Sequence, residues 1–265
     1  LRQRRRRLGA AIAGLALAWT AATAVSGALM WRRAETSALA FARTEAAANL
    51  NKDRAFRYWA TEHGGVYVPP TATAPPNPYL AHIPDRDVVT QEGKRLTLVN
   101  PAYMLRRMME QYEALYGIKG RLVSTLPLNP INTPDPWEER ALAELQSGAR
   151  EFSERTVMDG RPVLRMMEPF RTEEGCLKCH GQQGYRVGDL RGGVGVAIPL
   201  GPYLTAARQQ QEDIALAHGG IWLLGLVGLG LGWRSGRVRI DQQGRSELGP
   251  GPQRGTPVLR HAGGQ

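Results

Sequence analysis

The sequence has 265 residues, a formal net charge of +10 at pH 7 and only two cysteines. A net charge of this size is typical of nucleic-acid-binding proteins, but its distribution along the chain excludes that class. Residues 34–213 carry 21 Lys or Arg against 22 Asp or Glu, so the excess positive charge lies towards the two ends. The sequence contains no Walker loop, nucleophile elbow or HExxH motif, and we therefore expect a protein that is not an enzyme.

Two apolar segments explain where the arginines lie. Residues 8–31 contain no charge, and residues 214–233 contain His218 as their only titratable side chain. A membrane-crossing helix needs about 20 apolar residues, and both segments are that long. Arginines flank the outer end of each segment, so the positive-inside rule predicts a two-pass protein of the bacterial inner membrane with both termini in the cytoplasm. A cleaved signal peptide is the alternative for the first segment, although its apolar run exceeds the usual length of about 7–15 residues.

This topology divides the chain into five parts. Residues 1–7 are a basic cytoplasmic N-terminus, residues 8–31 and 214–233 are the spans, and residues 34–213 form a periplasmic domain. Residues 234–265 are rich in Gly, Arg, Gln and Pro, which predicts a disordered cytoplasmic tail.

The periplasmic domain begins with an alanine-rich segment, residues 34–63, which lacks Pro and Gly and is followed by two glycines. This pattern predicts a helical stalk that continues from the first span. A short strand is expected at residues 66–68, and the prolines of residues 69–84 indicate an extended surface loop.

Two further helices have clear start and stop signals. Asn100 and Pro101 begin one helix of about residues 101–116, and Asp135 with Glu138 forms a capping box at the start of another that Gly148 closes. Strand-like runs occur at residues 122–124, 163–166 and 194–198. Helices and strands without a regular βαβ repeat indicate an α+β domain built on an antiparallel sheet.

The run Cys176-Leu177-Lys178-Cys179-His180 lies between the last two predicted strands, in what reads as a loop on both sides. Cys-x-x-Cys-His is the attachment sequence for a c-type haem, in which Cys176 and Cys179 form thioethers and His180 is the proximal iron ligand. A structural zinc site would need a second ligand pair, which the sequence lacks. A thioredoxin-type dithiol would need the first cysteine after a strand and at the start of a helix, and an ordinary disulfide is the remaining alternative.

Several motifs occur in a fixed order along the region predicted to be periplasmic. They are Trp59-Ala60-Thr61-Glu62-His63-Gly64-Gly65-Val66-Tyr67, Asn77-Pro78-Tyr79-Leu80, Asn100-Pro101-Ala102-Tyr103-Met104, Asn129-Pro130 with Pro134-Asp135-Pro136-Trp137-Glu138, the haem motif, and Gly188-Asp189-Leu190-Arg191-Gly192-Gly193. Together they resemble the PAS-like haem-c sensor domains of bacterial histidine kinases, diguanylate cyclases and chemoreceptors. The resemblance implies a PAS-like antiparallel sheet with flanking helices, held between two transmembrane helices, that carries one covalent haem c.

The iron ligand opposite His180 determines what the haem does. Met104, Met108 and Tyr112 recur at four-residue spacing, which is also the pattern of simple core packing. Met104 lies where the relatives place their distal ligand and is the preferred candidate, with Met108, His63 or an open position as alternatives. Tyr112 and Met166 are expected to pack against the haem.

The sequence therefore predicts a membrane-anchored periplasmic haem-c sensor that responds to redox state or to a diatomic gas. Expected partners are a second copy of the chain or a separate kinase or cyclase output protein, and no nucleic acid. The alternative is a membrane-tethered cytochrome that passes electrons to a periplasmic redox partner.

Overall fold

The computed structural model describes residues 2–247, apart from the side chains of Lys178, Cys179 and Glu247. The chain divides into two units, one formed by residues 1–34 with 209–265 and the other by residues 35–208. Helix α1 (Arg2–Glu62) and helix α5 (Gly201–Glu247) contribute to both units.

The first unit consists of helix alone over its described residues. Helices α1 and α5 each contain an 18-residue window of mean hydropathy 1.7 and 1.9, of which 0% and 6% is buried. By length and composition both helices could cross a membrane, which agrees with the predicted number of spans.

Polar side chains in this unit bond between the two helices. Trp222 Nε1 donates to Thr20 Oγ1 at 3.0 Å, and Trp19 Nε1 donates to the Trp222 carbonyl at 3.3 Å. His218 Nε2 lies 3.2 Å from Ser26 Oγ, so the titratable residue of the second apolar segment has a partner on the first. In a lipid bilayer, bonds of this kind would satisfy polar groups that the lipid cannot.

The predicted tail is partly helical. Helix α5 continues through residues 234–247, where we predicted disorder, and residues 248–265 lie outside the described part of the chain. The segment contains no proline before Pro250, so nothing in it forces the helix to stop.

The second unit contains two antiparallel sheets, which confirms the α+β class. The three-stranded sheet has the order β1-β3-β2, and the four-stranded sheet has the order β4-β7-β6-β5. The strands are β1 (Val66–Val68), β2 (Asp87–Val89), β3 (Arg95–Val99), β4 (Lys119–Val123), β5 (Phe152–Met158), β6 (Arg161–Arg171) and β7 (Leu190–Pro199).

Three shorter helices complete this unit: α2 (Pro101–Tyr116), α3 (Pro136–Gln146) and α4 (Glu174–His180). Helix α2 has the predicted bounds, because Asn100 caps its N-terminus and Gly117 ends it in the left-handed conformation at φ 71°. Single 3₁₀ turns occur at Pro78–Leu80, Pro130–Asn132 and Gly181–Gln183. The first of these interrupts the proline-rich stretch that we predicted to be extended.

The core lies on both faces of the four-stranded sheet. Met166 and Met167 are neighbours on β6, so they point to opposite faces, and both are buried. Met166 belongs to a cluster with Leu50 of α1 and Leu105 of α2, whereas Met167 packs with Trp137 of α3. Helices α1 and α2 therefore cover one face and α3 covers the other.

Candidate functional site

A pocket with an empty volume of about 590 Å³ lies where the end of α1, the start of α2 and helix α4 meet. The lining residues are Arg57, Thr61, Gly64, Ile83, Leu98, Asn100, Pro101, Ala102, Gly175, Cys176 and His180. Two residues of the Cys-x-x-Cys-His run therefore face the same space.

The Cys-x-x-Cys-His run forms most of helix α4, and the prediction of a loop there was wrong. No proline or glycine interrupts residues 176–180, and Glu174 in the first turn favours a helix electrostatically. Positions separated by three and four residues share a helix face, so the backbone sites of Cys176, Cys179 and His180 lie on one side. Gly175 allows α4 to approach α1, because a Cβ there would lie 2.8 Å from Thr61 Cγ2.

The imidazole of His180 is held by the side chain of Gln183. Nδ1 of His180 lies 2.6 Å from Gln183 Oε1, and Gln183 Nε2 donates to the Leu126 carbonyl at 2.9 Å. A carbonyl only accepts, so the amide nitrogen of Gln183 must face Leu126 and its oxygen must face His180. Nδ1 of His180 therefore carries a proton and donates it to this bond.

The other ring nitrogen of His180 faces a guanidinium. Arg191 Nη1 lies 2.8 Å from His180 Nε2, and an arginine N–H can only donate. Nε2 therefore offers a lone pair, which is the form that a metal-binding imidazole requires. Burial lowers the pKa of His180, and the charge of Arg191 lowers it further against the opposing effect of the Gln183 bond. The ring is neutral at pH 7.

Of the two cysteines of the run, only Cys176 has a side chain that the structure describes. Cys176 is buried and lines the pocket beside His180. Cys179 lies one helical turn further along α4, and its side chain is outside the described part of the structure.

The predicted distal ligands do not lie among the described residues that line the pocket. Met104 is half-buried on α2, and its backbone N–H donates to the Asn100 carbonyl, which is part of the pocket rim. Met108 packs against the core cluster. His63 is exposed, with its ring stacked on Trp59 at 4.7 Å between centroids.

The two residues predicted to pack against the haem lie elsewhere as well. Tyr112 sits under Lys52, whose Nζ is 3.7 Å from the ring centroid. Met166 is 1% exposed and packs within the core cluster on the α1 and α2 face of the sheet. Neither side chain is part of the described pocket lining.

Sequence reasoning missed Arg57, Gln183 and Arg191, which surround His180. Gln183 and Arg191 have no local pattern that marks them, because their contacts depend on the tertiary fold. Arg57 does have one: it falls at helical spacing on the buried stripe of α1 that includes Leu50, Asp53 and Ala60. A charged residue on a buried helix face is a recognisable sign of function.

Comparison of the sequence with known protein families identifies one match. Residues 33–199 match the family described as Tll0287-like. Among solved structures, the crystal structure of the cyanobacterial heme-protein Tll0287 matches with 16% identity and a TM-score of 0.39, covering 58% of this chain and 91% of that chain. No match was found among curated proteins.

The family match spans the helical stalk and both sheets, including the pocket and the Cys-x-x-Cys-His helix. It confirms the family resemblance inferred from the sequence motifs, and the chain belongs to the Tll0287-like family.

Proposed function

We propose that this protein is a membrane-anchored, periplasmic sensor with one covalent haem c in a PAS-like domain. Cys176 and Cys179 attach the porphyrin, and His180 binds the iron through Nε2. The observation that carries this proposal is the tautomer of His180: Nδ1 donates to Gln183, so Nε2, which accepts from Arg191, is the unprotonated nitrogen in a pocket that also contains the buried Cys176. The family to which the chain belongs is described by the name Tll0287, which is that of a cyanobacterial heme-protein, and this family membership supports the same assignment.

The residues of the pocket fit a haem. Ile83, Leu98, Pro101 and Ala102 provide apolar surface for a porphyrin, and Cys176 lies in the same lining as the axial histidine. Proteins usually orient a histidine ligand through a hydrogen bond to the ring nitrogen that does not bind the metal, and Gln183 makes such a bond to Nδ1 here. When bound, the group supplies one-electron redox chemistry and an axial position for a small ligand.

The pocket lining favours an exogenous ligand as the signal. Among its described residues none is Met, Tyr, Lys or a second His, and the polar side chains are Arg57, Thr61 and Asn100. Two of these are already engaged, because Thr61 Oγ1 donates to the Arg57 carbonyl at 2.8 Å and Asn100 Oδ1 accepts from the Tyr103 N–H at 3.2 Å. A haem with no strong protein ligand on its distal side admits diatomic gases.

Helix α1 provides a route from the pocket to the first apolar segment. Arg57 and Thr61 lie in its last turns and line the pocket, and the same helix includes residues 8–31. We infer that a change at the iron moves the end of α1 and that this movement passes along the helix to a partner, either a second copy or a separate output protein. The arginines at residues 2–7 favour a cytoplasmic N-terminus, with residues 34–213 in the periplasm.

The full chain, produced with the cytochrome c maturation machinery and purified in detergent, tests the proposal. We expect a pyridine haemochrome spectrum of the thioether type and haem that stays with the polypeptide after acid–acetone extraction. Cys176→Ser and His180→Ala are expected to lower the yield of attached haem strongly. Wild-type protein that carries no haem, or haem that acid–acetone removes, would overturn the proposal.

The sensing role has a separate test on the haem-loaded protein. We expect CO to bind the reduced form and to change the protease sensitivity of the end of α1. A six-coordinate haem that binds no CO and exchanges electrons rapidly would instead support the electron-carrier alternative.

A further inference from the structure

The two helices of the first unit lie side by side at the ends that carry the arginines. Arg5 Nε of α1 donates to Asp241 Oδ1 of α5 at 2.8 Å. The helices also approach closely near this level, because a Cβ at Gly9 would lie 3.2 Å from the ring of Trp233. The start of α1 and the last turns of α5 therefore form one surface, which we call the basic end (residues 2–7 and 234–245).

The basic end carries a large excess of positive charge. Residues 2–7 contain five arginines, and residues 234–247 contain four against Asp241 and Glu247 as the only acidic residues. Asp241 already pairs with Arg5, which is half-buried, and the other eight arginines are exposed. The four arginines of α5 are Arg234, Arg237, Arg239 and Arg245.

This charge begins directly at the ends of the two apolar segments. Arg7 precedes the first segment, residues 8–31, and Arg234 follows Trp233, the last residue of the second. An α-helix rises 1.5 Å per residue, so Arg4, Arg7, Arg234 and Arg237 lie within about 6 Å of the segment ends along the helix axes. The headgroup layer on each side of a bilayer is about 5–8 Å deep. In a membrane these arginines would lie at the height of the lipid phosphates.

The helical structure of α5 fixes where its arginines lie. Because α5 runs without a break from the apolar segment to Glu247, Arg234 and Arg237 belong to the same rigid element, and their three-residue spacing places them on one helix face. The guanidinium of Arg237 lies 5.7 Å from the centroid of the Trp233 ring. Tryptophan is enriched where membrane helices leave the hydrocarbon core, so this pair marks the level at which lipid headgroups begin.

We propose that the basic end binds the headgroups of anionic phospholipids such as phosphatidylglycerol. A guanidinium binds phosphate through two parallel N–H···O bonds, and basic clusters beside a membrane-spanning helix attract anionic lipids. The arginines adjoin two apolar helices, which favours lipid over the acidic surface of a soluble protein. This proposal rests on the proposed membrane anchoring and adds to it the class of lipid that both helix ends contact.

The experiment uses the full-length protein in dodecylmaltoside and phosphatidylglycerol with a pyrene-labelled acyl chain. Energy transfer from the tryptophans to pyrene gives the dissociation constant, and phosphatidylcholine with the same label is the comparison without net charge. The variant is Arg234→Gln/Arg237→Gln. The matched control is Arg239→Gln/Arg245→Gln, because these two exposed arginines of the same helix lie about 9 Å and about 18 Å beyond Trp233, deeper than the headgroup layer.

We expect wild-type protein to bind phosphatidylglycerol more tightly than phosphatidylcholine, by about tenfold or more. One arginine at an anionic surface contributes a factor of about five, so the variant should lose at least about fivefold in affinity for phosphatidylglycerol and the control less than about twofold. Added NaCl should weaken the wild-type preference, because salt screens exposed charges. If the variant does not accumulate, the lipid preference of wild type and its salt dependence carry the test.

Three outcomes would overturn the lipid site. A loss of affinity as large in the control as in the variant would show that the position of the arginines is immaterial. Complete displacement of the labelled lipid by inorganic phosphate at millimolar concentration would assign the arginines to a free phosphate ion. Equal affinity for the two lipids, together with binding of a labelled polyglutamate peptide, would assign the surface to an acidic protein. A chain that stays in solution without detergent would instead refute the proposed membrane anchoring, so the two failures are distinct.

Discussion

Oε1 of Gln183 lies 2.6 Å from Nδ1 of His180, and the same amide is anchored by its Nε2 to the Leu126 carbonyl at 2.9 Å. Leu126 follows strand β4, whereas His180 ends helix α4, so Gln183 joins two separate parts of the domain through one side chain. The bond fixes both the ring orientation and the tautomer of His180.

Replacing Gln183 by leucine should therefore change the properties of the haem iron while leaving attachment intact. Without an acceptor at Nδ1, the imidazole donates less electron density, so we expect a higher reduction potential and a lower iron–histidine stretching frequency. Loss of such an outer bond typically changes metal-site affinity or activity by about tenfold or more, and CO binding should change on that scale. Resonance Raman spectroscopy and a redox titration measure the effect.

Gln182 provides the control for this experiment. It is the adjacent residue with the same side chain, and it is exposed. Gln182→Leu should keep the wild-type potential and stretching frequency. Equal changes in the two variants would show that the effect arises from the loop as a whole and not from the bond to His180.

Met104→Ala tests the predicted distal ligand. Because Met104 lies outside the described pocket lining, we expect this variant to keep the coordination number and the CO affinity of wild type within about twofold. Absorption spectra in both oxidation states report the coordination number, and a CO titration of the reduced form gives the CO affinity. A change from a six-coordinate to a five-coordinate spectrum would instead establish Met104 as the ligand, and Met108→Ala is the comparison on the same helix.

The elements that sequence reasoning predicted well are those with local signals. Helix α2 has the predicted bounds because an Asn-Pro start and a glycine end act within a few residues. Strand β5 was missed, although Asp159 and Gly160 have positive φ values of 52° and 73° and form the tight turn between β5 and β6. An Asp-Gly pair between two short strands is a known hairpin signal.

The environment of His180 could not be predicted in the same way. Gln183 is three residues away, but its second partner Leu126 is 57 positions distant from it. Arg57, which lines the same pocket, and Arg191, which contacts the His180 ring, come from two other elements. Met108 and Tyr112 show that a visible sequence pattern can also have a purely structural cause. Their four-residue spacing places both side chains against the core formed with α1 and the sheet. Spacing identifies a shared face but not what that face contacts.

Glu138 should be among the most sensitive positions for stability. It is 1% exposed, completes the capping box with Asp135, and lies 3.0 Å from Arg165, which also pairs with Asp135 at 2.8 Å. Glu138→Ala would leave Arg165 buried without this partner, and removing one member of a buried ion pair costs about 3–5 kcal/mol. Hydrogen exchange at the amides of β6 measures the local free energy of opening in the full chain.

The neighbouring Glu139 is the control for this prediction. It lies in the same first turn of α3 but is exposed, so Glu139→Ala should change the free energy of opening by less than about 0.5 kcal/mol. If Glu138→Ala lowers the free energy of opening no more than Glu139→Ala does, the ion pairs of Glu138 contribute little to the stability of the fold.

The buried carboxyl of Asp53 on α1 should make the stability of the protein depend on pH. The carboxyl is 3% exposed, no hydrogen bond reaches its Oδ1 among the described residues, and Lys52 Nζ lies 3.4 Å away. Burial raises the pKa of Asp53 above its usual value, against the opposing charge of Lys52. The folded state therefore binds this proton more tightly than the unfolded state, and its contribution to stability is lost as pH rises through the raised pKa.

Asp53→Asn removes the charge while keeping the shape, so it should increase the free energy of opening at pH 7 and flatten its decrease as pH rises from the acid range. Hydrogen exchange of the α1 amides near residue 53 at several pH values, corrected for intrinsic rates, measures both effects. Glu62→Gln, an exposed acidic position on the same helix, serves as the control and should leave the pH profile as in wild type. A lower stability of Asp53→Asn at pH 7 would show that the Lys52 ion pair outweighs burial, which would reverse the sign of this contribution.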